Sequence, residues 1–296
     1  MSLRSGTNSA KFKAGIERRR KVALIVSAVF FLATLFGLVT LTILMVDVIL
    51  KGWPWLTESF LTNFPSRHPE EAGIKSAIVG SVWMMGLTAL ISVPISIAAA
   101  IYLTEYADRG KLYELVQLNI ANLAGIPSVL YGILGLGLFV RFMALERSLL
   151  AGALTMALLI MPILIMATQE ALKAVPEGIR ESAYALGATR SQVIWSHLLP
   201  MSMPGILTGV ILALSRAVGE TAPLIMIGAL TFIAFLPESV MDPFTVLPIQ
   251  IFNWTARPQA DFQELAAAGI VVLMVFLMLM NLSAITLRNH FERGRY

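Results

Sequence analysis

The chain has 296 residues, 57% of them hydrophobic and 14% charged, with a mean hydropathy of +0.78. Soluble domains carry about 25% charged residues, so this balance excludes a disordered chain, a disulfide-stapled secreted domain and a typical cytosolic enzyme. There is no cysteine, which removes thiolate metal sites, disulfides and a cysteine nucleophile, and the net charge of +4 says less than where the charges sit.

A helix needs about 20 apolar residues to cross a bilayer's hydrocarbon. Residues 1–21 form a basic tail with seven Lys and Arg, four of them in the run Arg18–Lys21. Val22–Val46 is uncharged, and the first transmembrane helix is placed at 22–50. Its apolar stretch exceeds the about 7–15 residues of a signal peptide and no small-residue cleavage site follows, so an uncleaved helix is expected. Segment 51–73 reads as an external loop, with Trp53 and Trp55 suited to the membrane interface. Ser76–Thr104 is the second span, with Pro94 inside it. Leu115–Val140 is the third, more polar because it carries Gln117, Asn119 and Asn122. Gly132, Gly135 and Gly137 within it read as close helix packing rather than a phosphate-binding loop. Ser148–Gln169 is the fourth span.

The following segment, 170–200, is too structured for a simple loop. Pro176 fits the first position of a helix, and Glu177 favours the positive end of its dipole. That helix runs to about Leu186, where Gly187 supplies the left-handed residue that ends it. Thr189 and Gln192 have capping-box spacing and start a second helix. The small residues Ala183, Ala185, Gly187 and Ala188 let another surface approach the turn. Such a hairpin either packs on its own bundle or docks a cytoplasmic partner.

The fifth span, about 205–228, contains Arg216 and Glu220. A charge at the bilayer centre costs about 2.5–3.5 kcal/mol, so neither is expected to face lipid. Four residues apart, they share a helix face and can pair, although Arg before Glu is the weaker order for helix support. Pro223 has no N–H for the carbonyl of Gly219, which predicts a kink or break there. Broken backbone at membrane depth is tolerated where it lines a cavity or is buried in protein. The pair is either a sealed structural bridge between helices or, with Thr221, a polar patch on a translocation path. On such a path Arg216 would attract an oxyanion through bidentate bonds, the pair opening as the pathway changes state. Segment 229–264 reads as a second external loop with Trp254 at the interface. Leu265–Leu287 is the sixth span and 288–296 a cytoplasmic tail.

Of the 22 Lys and Arg, fifteen fall on the side of the two tails and six on the other. Positive residues mark the cytoplasmic face, so both termini are expected there. The expected fold class is all-α, a polytopic membrane protein of six transmembrane helices. No G-x-x-x-x-G-K-[ST] loop is present, so the chain should not hydrolyse ATP itself. There is no H-E-x-x-H and no G-x-S-x-G, and His68, His197 and His290 are scattered. No catalytic residue, no metal ligand and no nucleic-acid partner is assigned. A membrane enzyme or sensor that uses the ion pair stays open.

Two stretches resemble a known family. Glu181-Ser182-Ala183, three residues, Gly187, nine residues, His197-Leu198-Leu199-Pro200 is similar to the EAA loop of ABC importer permeases, departing from it at Ser182 and His197. The string from Arg216 to Leu224 resembles the phosphate-specific members of that class, the PstA type. Ile101–Tyr106, Gly125–Gly132, Tyr184–Gly187 and Gly205–Ala213 belong to the same likeness, which covers roughly 70–287. The resemblance implies a type I ABC importer permease (MetI-like) fold in the cell inner membrane, with that stretch as its core. It implies Glu181, Ala183 and Gly187 as residues coupling to an ATPase. The implied partners are a PstC-type permease subunit, two ATPase subunits that carry the ATP and Mg, and an extracytoplasmic phosphate-binding protein. The chain itself would hold no cofactor. Inorganic phosphate is the implied substrate, with phosphonate, sulfate or molybdate as alternatives.

Overall fold

The computed structural model describes residues 5–229 and 232–293, without the side chains of 5–15, 17, 18 and 290–293. Residues 1–4 and most side chains of the expected basic tail 1–21, the side chain of His290 and the end of the tail 288–296 therefore lie outside the described residues. The chain divides into two units, residues 1–51 and 52–296.

The first unit is helix α1 (Ser5–Gly52). Its apolar side chains are exposed all round, Phe30, Phe31 and Phe36 by more than two-thirds. A helix that is apolar all round belongs in lipid or among other helices. Thr34 and Thr42 donate their hydroxyls back to the carbonyls of Phe30 and Leu38 at 2.9 and 2.8 Å, which hides both polar groups within the helix.

The second unit contains α2 (Glu58–Thr62), α3 (Lys75–Ile101), α4 (Lys111–Ala124), α5 (Ser128–Gly135), α6 (Leu149–Lys173) and α7 (Glu177–Ala185). It continues with α8 (Arg190–Val193), α9 (Leu199–Val218), α10 (Ala222–Ile227), α11 (Leu247–Thr255) and α12 (Ala260–Arg293). Among the described residues, five helical stretches are long and apolar enough to cross a membrane: Arg19–Trp55, Lys75–Tyr106, Leu149–Lys173, Arg190–Val218 and Ala260–Asn289. A bent pair, Lys111–Ala124 with Ser128–Phe142, makes six if it counts as one span. The fold is thus all-α and polytopic.

Helix α6 is the axis of this unit, packed between α3 and α9. Small residues set its distance to α9. A Cβ added at Gly205 or Gly209 would come within 2.8 or 2.6 Å of the Cβ of Ala171 or Ala167. Without a hydrophobic force between helices in lipid, this close approach is what dispersion needs. The start of α6 is held by the 238–243 loop. Leu149 N–H and Leu150 N–H donate to the carbonyls of Asp242 and Val240 at 2.9 and 2.8 Å. The Ser148 hydroxyl caps the helix by accepting from Ala151 N–H.

Four expectations change. The third span is not one helix from 115 to 140. It breaks at Gly125-Ile126-Pro127, and α4 and α5 meet at 103°. Pro127 disfavours helical geometry at the residue before it and offers no N–H, so α4 ends there. The Tyr131 hydroxyl then donates to the Leu123 carbonyl at 2.8 Å, satisfying a group that the broken helix leaves open. The fifth span starts earlier than 205, because α8 runs through a π-turn at Ile194–Leu198 into α9. The 229–264 segment is not simply an external loop, since α11 buries Leu247, Pro248, Ile249 and Gln250. Trp254 is not at an interface: it is fully buried, 5.9 Å from the Phe60 ring. Trp53, 72% exposed, remains suited to that role.

Candidate functional site: an ion pair at a broken helix

Arg216 lies in the last turn of α9, whose final regular residue is Val218. Gly219 N–H and Glu220 N–H turn back to the carbonyls of Arg216 and Ala217 at 3.2 and 3.1 Å, tightening the end of the helix. The chain leaves helical form across Gly219, Glu220 and Thr221 and resumes at Ala222. Pro223 is the second residue of α10, where its missing N–H costs nothing. Gly228, with φ +91°, ends α10 in the left-handed region.

Arg216 Nε and Glu220 Oε1 are 3.4 Å apart, the Arg216 side chain 48% exposed and the Glu220 side chain 19%. The pair lies within one chain segment rather than between helices, as the structural alternative had it. Thr221 sits beside it, half-buried. The opposite face of the same turn, Ala217 and Val218, is buried in the core with Met84, Met85, Met156 and Leu224. Ser215 adds a polar neighbour, its hydroxyl 2.6 Å from Asn281 Oδ1 on α12. The charged pair therefore looks outward from a buried apolar core, at the end of the apolar stretch Arg190–Val218, on a face that this chain leaves open. An oxyanion could reach the guanidinium there once the long contact to Glu220 parts.

The break is held by α5. A Cβ added at Gly132 would meet the Cα and carbonyl oxygen of Pro223 at 2.7 and 2.8 Å. Gly135 likewise faces Thr155, whereas Gly137 has nothing within 4 Å. The packing reading thus fits the first two glycines and not the third. Gly132→Ala must push backbone, not a flexible side chain. It is expected to destabilise by about 1–3 kcal/mol, read as a lower unfolding temperature in detergent.

In the hairpin segment, α7 begins at Glu177, with Pro176 just outside it as the cap rather than as the first helical residue; its ψ of 136° is extended. Gly187 has φ +82° and open space around it. Thr189 and Gln192 form the full capping box of α8. Glu181 and Gly187 are exposed. Ala183 is buried, inward against a cluster with Leu172, Val175, Val193 and Ile194, so its small size seats α7 on the bundle. The exposed apolar tip is Leu186, 89% exposed, with Tyr184 near it at 44%. In the sequence these two stand within the Tyr184–Gly187 likeness, which says nothing of their exposure.

A second feature sequence reasoning missed is the tie between α7 and α3. Arg180 Nη2 lies 3.1 Å from Glu105 Oε1, their side chains 19% and 11% exposed, and donates to the Leu172 carbonyl at 2.9 Å. Glu105 sits in the π-helical turn Tyr102–Tyr106 that closes α3. The ion pair thereby joins α7 to the end of α3. Arg180→Ala would leave a largely buried carboxylate without its partner. It is expected to cost about 3 kcal/mol, read by thermal unfolding and by faster hydrogen exchange in α7.

Comparison with known proteins places this architecture. Residues 92–295 match the family model described as binding-protein-dependent transport system inner membrane component. The chain is 33% identical over 276 residues to the phosphate transport system permease protein PstA of Yersinia pestis, covering 93% of this chain and 91% of that one. It is 32% identical over 252 residues to the protein of the same name from Haemophilus influenzae, covering 85% and 88%. It is 28% identical to a probable ABC transporter permease protein, YqgI, of Bacillus subtilis, covering 80% and 85%. Among solved structures, a chain of a bacterial alginate ABC transporter superposes with a TM-score of 0.67 at 18% identity, covering 90% of this chain and 94% of that one. A chain of the MetNI methionine ABC transporter in an inward-facing conformation gives 0.58 at 18%, covering 74% and 94%. The last two show the fold alone, the type I ABC importer permease fold. The family match spans more than two-thirds of the residues, and the chain is a multi-pass membrane protein belonging to the inner membrane components of binding-protein-dependent transport systems.

Proposed function

We propose that the chain is a permease subunit of an ATP-driven phosphate importer, lining the translocation path and relaying the work of ATPase subunits. The observation that carries this reading is Arg216. It is a permanent cation in the last turn of an apolar helix, half-exposed beside a break and 3.4 Å from Glu220. In a bilayer such a group does not face lipid, so the open face calls for a second permease subunit across a wet path. The names of the PstA relatives support phosphate as the cargo. Arg216 would hold it by charge-assisted bonds, with Glu220 competing for the same guanidinium and so keeping the site weak enough to release.

The same reading gives the partners. A PstC-type subunit would cover the open face, an extracytoplasmic phosphate-binding protein would deliver substrate, and two ATPase subunits would bind ATP and Mg. They would dock at the hairpin through Glu181, Gly187 and the exposed tip, with Ala183 seating α7 from inside. The excess of Lys and Arg beside the hairpin and the tails supports a cytoplasmic position for both termini. Phosphonate, sulfate and molybdate carry similar oxygens, and Arg216 alone does not separate them. The test is ATP-driven uptake of labelled phosphate into vesicles holding the reconstituted complex. Unlabelled phosphate is expected to compete far better than sulfate or molybdate; equal competition would reassign the substrate, and uptake without ATP would overturn the reading.

A further inference from the structure

Beside the α7 hairpin lies a polar recess of about 460 Å³, lined by Arg109, Lys173, Arg180 and Arg190 against Glu105 and Glu177. Two of these cations are engaged: Arg180 with Glu105, and Lys173 with Glu170 at 2.9 Å. Arg190 stands over the Tyr106 ring, 5.5 Å from its centroid. Arg109 comes from the turn between α3 and α4 and is exposed.

Tyr106 itself lines a second concavity. It is an almost wholly apolar groove of about 590 Å³ between α3 and α9, walled by Val93, Ile97, Ile101, Leu199 and Met203. Tyr102 and Trp195 stand on its rim, 60% and 64% exposed. Amphipathic aromatics of this kind settle at the headgroup level of a bilayer. The groove and the recess therefore adjoin where Arg190 stands over Tyr106, the one apolar and the other rich in cations.

An occupant that fits both parts carries an anionic head on an apolar tail. We propose that the composite site holds an anionic phospholipid, an acyl chain along the α3–α9 groove and the phosphate against Arg190 and Arg109. A helix of another chain would fill the groove, yet unless it carried carboxylates it would bring Arg109 and Arg190 no counter-charge beyond the Glu177 already in the recess. The proposal rests on the membrane reading, not on phosphate import or on which side the termini lie. A lipid seated there braces the start of α8 and the Arg180–Glu105 tie against α3. The posture of the hairpin then responds to the anionic lipid content of the membrane.

The test uses the complete permease–ATPase complex, delipidated in detergent and titrated with phosphatidylglycerol or phosphatidylcholine under native mass spectrometry. Phosphatidylglycerol is expected to be retained in preference, and excess inorganic phosphate not to displace it. The double variant R109Q/R190Q should lower its retention about 25-fold, at about fivefold for each cation beside an anionic lipid, with phosphatidylcholine unchanged. Ala98, an exposed residue of the groove wall, gives a second variant. Ala98→Phe should lower retention of both lipids with every cation in place. Unchanged phosphatidylglycerol retention in either variant overturns the proposal, as does its displacement by inorganic phosphate. Loss of the ATPase subunits from the double variant with lipid retention intact assigns the recess to a protein contact and overturns it too. Failure of phosphate uptake in the parent complex would leave this result standing.

Discussion

Arg216→Ala should lower ATP-driven phosphate uptake about ten- to hundredfold in vesicles, with the complex still assembled. A hydrogen bond to a charged group contributes about 1.5–3 kcal/mol, and 1.4 kcal/mol is a factor of ten. Arg216→Lys keeps the charge but loses the planar fork, so its uptake should fall between the two. Glu220→Gln separates the readings of the pair. If Glu220 competes with substrate for the guanidinium, its loss tightens phosphate binding and slows turnover. If the pair is a structural seal, the same change lowers the unfolding temperature and leaves the uptake of the surviving protein alone. Normal flux through an assembled Arg216→Ala complex would end the substrate role.

Gly187→Val should uncouple the transporter, with loss of most ATP-stimulated uptake or of the ATPase subunits on purification. The effect is one of backbone, since a Cβ at Gly187 meets no atom within 4 Å while φ stands at +82°. The left-handed region costs an L-residue about 1–2 kcal/mol, and a branched side chain fares worse. To escape it, the substituted turn would re-aim Leu186 and the start of α8, which are the parts a partner would meet. Gly187→Asn, which tolerates this region, should keep most of the uptake. Gly178→Ala is the control. It lies in α7 with nothing within 4 Å, and it should keep full coupling.

The hairpin was legible because its signals are local. Pro176, Gly187 and the Thr189–Gln192 box act within one turn of chain, and each ends or starts a helix close to where its chemistry puts it. The break after Val218 was legible for the same reason, from Pro223. The third span misleads because an uncharged stretch reads as one helix. Length and hydropathy carry no information on a bend, and Pro127 is the signal that matters. Helix α11 goes unread because nine residues are too few for a span and its burial depends on α3 and α12. Trp254 and the Arg180–Glu105 tie have the same cause. Phe60 is far from Trp254 in sequence, and Glu105 is 75 residues from Arg180, so no periodicity could join them. Of the site, sequence marks Arg216 and Glu220 and the chance of their pairing. It does not show that their turn has its back to a dry core and its charges to an open face.

The chain's lack of cysteine allows the most direct test of that geometry. Thr221→Cys places one thiol beside the pair, and a charged, membrane-impermeant thiol reagent reports whether water reaches it in the assembled complex, against the unsubstituted complex as blank. The account predicts labelling that changes with ATP and is slowed by phosphate but not by chloride. A thiol that stays unlabelled in every nucleotide state, in a complex that still transports phosphate, would contradict a water-filled path at the broken helix.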